Sequence, residues 1–300
     1  MEFKKLEELI ELSRNRSNRK LIVAAAEDQQ VLIAVKTAAE NQLVDPVFVG
    51  NSQEIERLCT DIGYSISPGD IIHEPDPVTC CSIAVEMARN GEAEILMKGM
   101  VSTAHLLKAV LDKEQGLRKR EVLSHFALLQ VPAYRRLIGV TDAAMNILPD
   151  LKEKVCIIQN AVEVYHRLGH SNPKVAALAP VEIVNPKIGS TVDAAALQEM
   201  NRNNQLTGCT VDGPLALDIA VSTEAAEHKG ITGCVAGSAD ILLTPDLNSG
   251  NILYKSLVFL SGGTAAAVIM GAGVPIVLTS RADSEKSKYM SIALAAAMDG

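Results

Sequence analysis

The stretch LIVAAAEDQQVLIAVKTAAENQLVDPVFVG, residues 21–50, decides the fold class. Its first six residues, LIVAAA (21–26), form a short continuous apolar run, the pattern of a strand covered on both faces. A helical pattern follows from about Asp28 to Asn41. PVFVG (46–50) is a second apolar run, and another helical pattern starts at Gln53. Strand, helix, strand in that order is a βαβ unit, which makes the two strands parallel.

The alternation continues outward. ILMKG (95–99) precedes the helix-like TAHLLKAVL (103–111). Further strand candidates are HFALLQV (125–131), LIGVT (137–141), KVAALAPV (174–181), DILLT (240–244), AAVIM (266–270) and VPIVLTS (274–280). The expected class is α/β, with mostly parallel sheets flanked by helices. Three hundred residues are enough for two ordinary domains. No Pro-, Gly- or Ser-rich linker divides them, but the polar segment QGLRKREVLSH (115–125) suits a crossing. The closing strand and helix, VPIVLTS then ADSEKSKYMSIALAAAM, repeat the style of the N-terminal units. The expected domains are therefore 1–121 plus 269–300, with 122–268 inserted between them.

Composition narrows the partners. Hydrophobic residues are 48% of the chain but aromatics only 3%, with no Trp, so the core is aliphatic. The net charge of −8, without a long basic run, argues against general nucleic-acid or anionic-membrane binding. An anionic substrate must then be held by a few placed cations and backbone amides. The six cysteines contain no CxxC pair and read as reduced, mostly buried thiols. The histidines show no HxH spacing and one HxxxH, at His166 and His170, and no metal site is expected. The N-terminus is a charged amphipathic helix rather than a signal peptide, and no apolar run approaches the ~20 residues of a membrane span. A cytoplasmic protein is expected.

Four segments could carry chemistry. Thr279-Ser280-Arg281-Ala282-Asp283-Ser284 directly follows an apolar strand, where α/β sheets bind ligands beside helix N-termini. Ser280 offers a hydroxyl, Arg281 a planar fork for phosphate and Asp283 a carboxylate. Without a ligand, Ser280, Asp283 or Ser284 reads as an N-cap and Arg281 as a surface cation. In PDLNSGNILYKSL (245–257), Asn248, Ser249 and Gly250 suit a tight turn, with Asn251 opening a helix and Lys255 one turn on. A plain strand–turn–helix connector fits equally. In MKGMVST (97–103), Gly99 gives a turn and Lys98, Ser102 and Thr103 stand at a helix start suited to phosphate, or simply cap it. In TVDGPLALDIAV (210–221), DGP reads as a turn, and Asp212 and Asp218 as structural carboxylates. Cys156 and Cys234 have no neighbouring His in sequence, so nothing supports a covalent thiol mechanism.

Taken together and in order, DGPLALDIAV, PDLNSGNILYKSL and VPIVLTSRADS resemble the phosphate acetyl/butyryl transferase family, over nearly the full chain and most clearly from Lys98 onward. The SRADS form and the length look like its butyryl branch. The resemblance implies a two-domain subunit related to isocitrate and isopropylmalate dehydrogenases, with an interdomain cleft, forming a homodimer or larger homo-oligomer. It implies transfer of a butyryl or other short or branched acyl group between coenzyme A and phosphate, in a ternary complex without metal or covalent intermediate. It implies no bound cofactor, with coenzyme A as a substrate. Carried over, Ser280 stabilises the transition state and Arg281 binds the phosphoryl group. Lys108 stands where the acetyl enzymes have Arg. Those enzymes place a proposed catalytic Asp where this chain has Ser287, so the base is expected to be Asp283, with Glu285 second. Substrate is expected to meet Lys98, Ser102, Thr103, Lys108, Asn248, Ser249, Gly250 and Asn251. Three other readings remain open: a phosphate acetyltransferase, a non-catalytic sensor of acyl phosphate or coenzyme A, and a metal- and NAD-dependent dehydrogenase of the same fold. The last resembles this chain at its GDILSD motif, whose aspartates bind metal; Asn251 and Lys255 replace them here.

Overall fold

The computed structural model describes residues 3–280 and 283–298. The N-terminal part runs α1 (Glu7–Arg14), β1 (Arg19–Ala24), α2 (Gln29–Glu40), β2 (Val44–Gly50), α3 (Ser52–Asp61), β3 (Ile71–His73), α4 (Pro77–Arg89), β4 (Ile95–Lys98) and α5 (Thr103–Val110). The middle part runs β5 (Ser124–Gln130), β6 (Leu137–Thr141), α6 (Leu151–Arg167), β7 (Lys174–Leu178), α7 (Gly189–Arg202), β8 (Thr210–Leu215), α8 (Leu217–Val221), α9 (Thr223–His228), β9 (Ile241–Leu243) and α10 (Leu247–Lys255), closed by a π-helical turn at Ser256–Leu260. The chain ends with β10 (Thr264–Met270), β11 (Ile276–Val277) and α11 (Glu285–Ala297).

These elements cluster into two compact units. One holds Leu6–Glu121 and the chain from Ala265; the other holds Val122–Thr264 and the N-terminal residues through Lys5. The second junction lies four residues earlier than position 269, because β10 begins at Thr264 and enters the first unit almost whole.

In the first unit the strand order is β3-β2-β1-β4-β11-β10. Its pairs are parallel except β10 with β11. β1 shows why: Leu21, Ile22, Val23 and Ala24 are buried in succession, so both faces of the strand are covered. Asp28 starts α2, its Oδ1 accepting the N–H groups of Gln30 (2.9 Å) and Val31 (3.1 Å). Val31, Leu32, Ala34, Val35 and Ala38 then form the buried stripe of that helix. Burying each Val or Leu contributes about 1.5–3 kcal/mol relative to exposure. α11 is different, with every residue from Met290 to Ala297 buried, as expected of an apolar helix covered all round.

In the second unit the order is β5-β6-β9-β7-β8, parallel except β5 with β6. β8 corrects the sequence reading, since the DGP segment is strand rather than turn. Pro214 offers no N–H to a ladder, which an edge strand tolerates. The register indeed shifts there, between the pairs Ala176↔Asp212 and Leu178↔Leu215.

Candidate active site

β11 lies parallel to β4, with Ile276 opposite Leu96 and Val277 opposite Met97. Two loops therefore leave the sheet of the first unit side by side at its carboxyl edge, each running into a helix N-terminus.

The loop after β11 holds the strongest sequence candidates. Thr279 is buried, Ser280 is exposed and Asp283 is half-buried. Asp283 closes the loop on itself. Its Oδ2 accepts the Ser280 N–H at 2.6 Å, and its own N–H donates to the Ser280 carbonyl at 3.1 Å. Arg281 lies outside the described residues. Of the three possible N-caps, Ser284 takes that position, its Oγ accepting the Ser287 N–H at 3.1 Å. Glu285 is exposed in the first turn. Ser287 is buried, and its carbonyl accepts from the Ser291 hydroxyl at 2.8 Å. Ser291 Oγ in turn accepts the Ala267 N–H of β10 at 2.9 Å, fixing the helix to the sheet.

The loop after β4 begins at Lys98, which is buried. Its ammonium donates to the carbonyls of Gly99 (3.0 Å) and Val101 (3.1 Å), shaping the loop from inside. A Cβ at Gly99 would fall 2.0 Å from the Ala25 carbonyl oxygen, so only glycine lets the backbone pass. Ser102 N-caps α5 by accepting the His105 N–H at 3.2 Å, and Thr103 is exposed beside it. Lys108 is not in this group. It lies about 7.5 Å further along the helix axis. There it borders a groove of about 590 Å³ lined also by Val85, Glu86, His105 and Asp112.

The Asn248–Asn251 segment is in the second unit and differs from expectation. α10 starts at Leu247, so Asn248, Ser249, Gly250 and Asn251 are its first turns, not a tight turn preceding it. The cause is Asp246, whose carboxylate caps the helix by accepting the Ser249 N–H at 2.9 Å. Ser249 Oγ also bonds back to the Asp246 carbonyl at 2.9 Å. A Cβ at Gly250 would sit 2.1 Å from the Asp142 carbonyl oxygen, so the helix rests directly on the turn after β6. Asn251 Nδ2 donates to the Ala143 carbonyl at 3.1 Å. Only Asn248 of the four is exposed.

Among the described residues four buried charges escaped the sequence reading, Asp142, Lys154, Asp240 and Lys288, of which Asp142 and Lys288 adjoin the candidate segments. Asp142 is 3% exposed, and its carboxylate accepts N–H groups of Ala144 (2.8 Å), Met145 (3.0 Å) and Asn146 (3.2 Å). Lys288, in the first turns of α11, is 2% exposed. Asp142 could have been suspected from a lone carboxylate between the strand LIGVT and small residues. Lys288 carries no such signal, sitting within an ordinary charged helix start.

Asp212 accepts from the Gln198 amide and from the Gly213 N–H at 3.1 Å, while Asp218 pairs with Lys229 at 3.2 Å. Burial pushes the thiols of Cys59, Cys80, Cys81 and Cys209 up to about 11, whereas Cys234 is exposed. Among the described residues, no group of three or more His, Cys, Asp and Glu side chains is placed to hold a metal ion. No helix there is long and apolar enough to cross a membrane.

Residues 71–296 match the family model for phosphate acetyl/butaryl transferase. The chain is 45% identical over 297 residues to a phosphate butyryltransferase from Clostridium acetobutylicum, covering 99% of both chains. It is 49% identical over 292 residues to a probable phosphate butyryltransferase from Bacillus subtilis, covering 97% of both. Among solved structures, a branched-chain phosphotransacylase from Enterococcus faecalis V583 superposes with a TM-score of 0.81 at 35% identity, over 93% of this chain and 98% of that one.

Proposed function

The chain belongs to the phosphate acetyl/butaryl transferase family, and from that premise we propose that it moves a butyryl or similar short acyl group between coenzyme A and inorganic phosphate. The observation that carries the reading in this molecule is the exposed Ser280, held at the carboxyl edge beside the Ser102-capped helix start. Unpaired amides and the dipole at a helix start favour an anion, here phosphate or a developing oxyanion.

Written toward coenzyme A acylation, the thiol sulfur attacks the carbonyl carbon of the acyl phosphate in a ternary complex. The thiol proton passes to a carboxylate, Asp283 or in second place Glu285. Oδ2 of Asp283 holds the Ser280 amide, so Oδ1 is assigned to the proton. Charge builds on the carbonyl oxygen, where the Ser280 hydroxyl donates. The C–S bond forms, the bond from carbon to phosphate oxygen breaks, and phosphate leaves as an anion whose binding is assigned to Arg281. Holding both substrates removes much of the entropic barrier of a two-body step. Lys98 serves indirectly, by shaping its loop. Lys108 is assigned to the coenzyme rather than to the reacting centre.

Thiol release from acetyl-, butyryl- and isobutyryl-CoA, with and without phosphate, tests the reading on a thiol-reactive dye. Phosphate-dependent release is the expected result, and the ratio of kcat/KM values identifies the acyl group, acetyl included. Binding of these ligands with no release from folded protein would overturn the transferase and leave the sensor reading. The buried thiols contribute little background at pH 8, because burial holds them near 11. A homodimer or larger assembly belongs to the same proposal. Ile252, Phe259 and Leu260, 67%, 61% and 85% exposed, supply apolar surface for a second copy to cover. A monomer in sedimentation would refute it.

A further inference from the structure

Lys288 is a cation in an unfavourable place. It lies in the first turns of α11, where the helix dipole favours negative charge, and it is 2% exposed. A buried ammonium is normally paired or neutralised. Among the described residues, however, no carboxylate lies within ion-pair distance of it. The acidic residue of the first turn, Glu285, is exposed, and the neighbouring Lys286 pairs with Glu7 at 2.9 Å. The Lys288 ammonium instead donates to two neutral oxygens. One is the backbone carbonyl of Asp283, at 2.5 Å; the other is Gln30 Oε1 at the start of α2, at 3.1 Å.

The first of these bonds reaches into the candidate site. Asp283 closes the loop after β11 through two reciprocal bonds with Ser280. Holding the Asp283 carbonyl therefore braces a residue that is bonded twice to the Ser280 backbone. The second bond ties that fixed point to α2, whose own start is anchored by the Asp28 cap. A chain of hydrogen bonds thus runs from α2 through Gln30, Lys288 and Asp283 to Ser280.

We propose that Lys288 is the positioning residue of the Ser280 loop: its buried ammonium holds the Asp283 carbonyl so that Ser280 is presented to substrate in one conformation. The catalytic consequence rests on the transferase reading above, whereas the loop clamp itself does not. Lys288 touches no reacting atom, so its removal lowers kcat by misplacing Ser280 and leaves the KM for acyl-CoA nearly unchanged. A displacement of about 1 Å in a reacting group costs up to about 10²-fold.

The experiment compares wild type with Lys288→Met by two readouts. Hydrogen exchange over residues 278–288 is expected to show faster exchange at the amides of Ser280 and Asp283, with the exchange of β4 and the C-terminal half of α11 unchanged. In the thiol-release assay, kcat is expected to fall by roughly 10- to 100-fold with KM within a factor of about two. Lys288→Arg, which keeps a cation, is expected to recover part of the loss. Wild-type exchange at both amides in Lys288→Met would overturn the clamp, whatever the activity. Faster exchange in an enzyme whose wild type releases no thiol would uphold the clamp and sink the transferase instead. Should Lys288→Met not fold, Gln30→Ala cuts the same chain at an exposed side chain. Faster exchange at the same two amides supports the proposal, and unchanged exchange overturns it.

Discussion

The loops after β11 and after β9 look alike in sequence: an apolar strand, a few small polar residues, then a helix. In the structure they have opposite uses of their polar groups. After β9, the hydroxyl of Thr244 donates to the Asp142 carbonyl at 3.0 Å, Ser249 folds back on Asp246, and Asn251 reaches Ala143. The side chains of Thr244, Ser249 and Asn251 are thus spent on the turn after β6 or on the start of their own helix. After β11, the backbone of Ser280 is tied down by Asp283 while its residue stays exposed. A small polar residue after a strand is thus a structural part when its side chain is consumed by neighbours. It is a candidate for chemistry when it stays exposed to solvent, as Ser280 does.

This contrast breaks if the two loops respond alike to mutation. Ser280→Ala should give the largest effect, a loss of ~10²-fold or more in kcat with no change in stability, as for a lost oxyanion donor. Near-normal turnover in that variant would remove Ser280 from the mechanism. Asp283→Asn keeps an oxygen for the Ser280 amide but cannot take a proton, so a further test follows. A base is worth about 10²-fold or more, and that loss is expected in kcat. If Asp283→Asn stays active while Glu285→Gln does not, the base is Glu285.

On the other side, Gly250→Ala should act on the fold. The added Cβ collides with the Asp142 carbonyl, and such overpacking costs about 1–3 kcal/mol. Urea unfolding measures it, and the folded fraction should turn over normally. Asn251→Ala should cost less, about 1 kcal/mol for one hydrogen bond, with the KM for acyl-CoA unchanged. A KM several-fold higher at full stability would return Asn251 to the substrate and erase the distinction between the loops.

The same contrast explains what could be read in advance. Runs such as LIVAAA and HFALLQV announce buried strands because continuous apolar sequence has few other uses, and they fixed the α/β class. β3 has only three half-buried or exposed residues, Ile71–His73, and gave no such signal. β8 was hidden by DGP, whose composition favours turns everywhere except at an irregular edge. The start of α10 was displaced because Asn-Ser-Gly looks like a turn, while the capping Asp246 was counted as part of the connector. Ser280 and Asp283 could be nominated because they directly follow an apolar strand. Whether Lys98 would face a ligand or its own loop depended on the carbonyls of Gly99 and Val101, whose direction local pattern does not encode. Asp142 and Lys288 were missed for a related reason: the groups that make their burial tolerable lie on other elements or on backbone.

The placement of β11 has a consequence for how the protein is made. This strand stands between β4 and β10, yet it follows every other described strand in the chain, together with the helix that covers it. β1 to β4 are complete at Lys98, and their sheet gains its missing interior strand only when Ile276 is reached. The intervening Val122–Thr264 unit has all its strands by Leu243 and can condense meanwhile. The edge of β4 therefore stays unpaired in the nascent protein until β11 is made. A prematurely terminated chain lacks both Ser280 and the strand that would have shielded that edge.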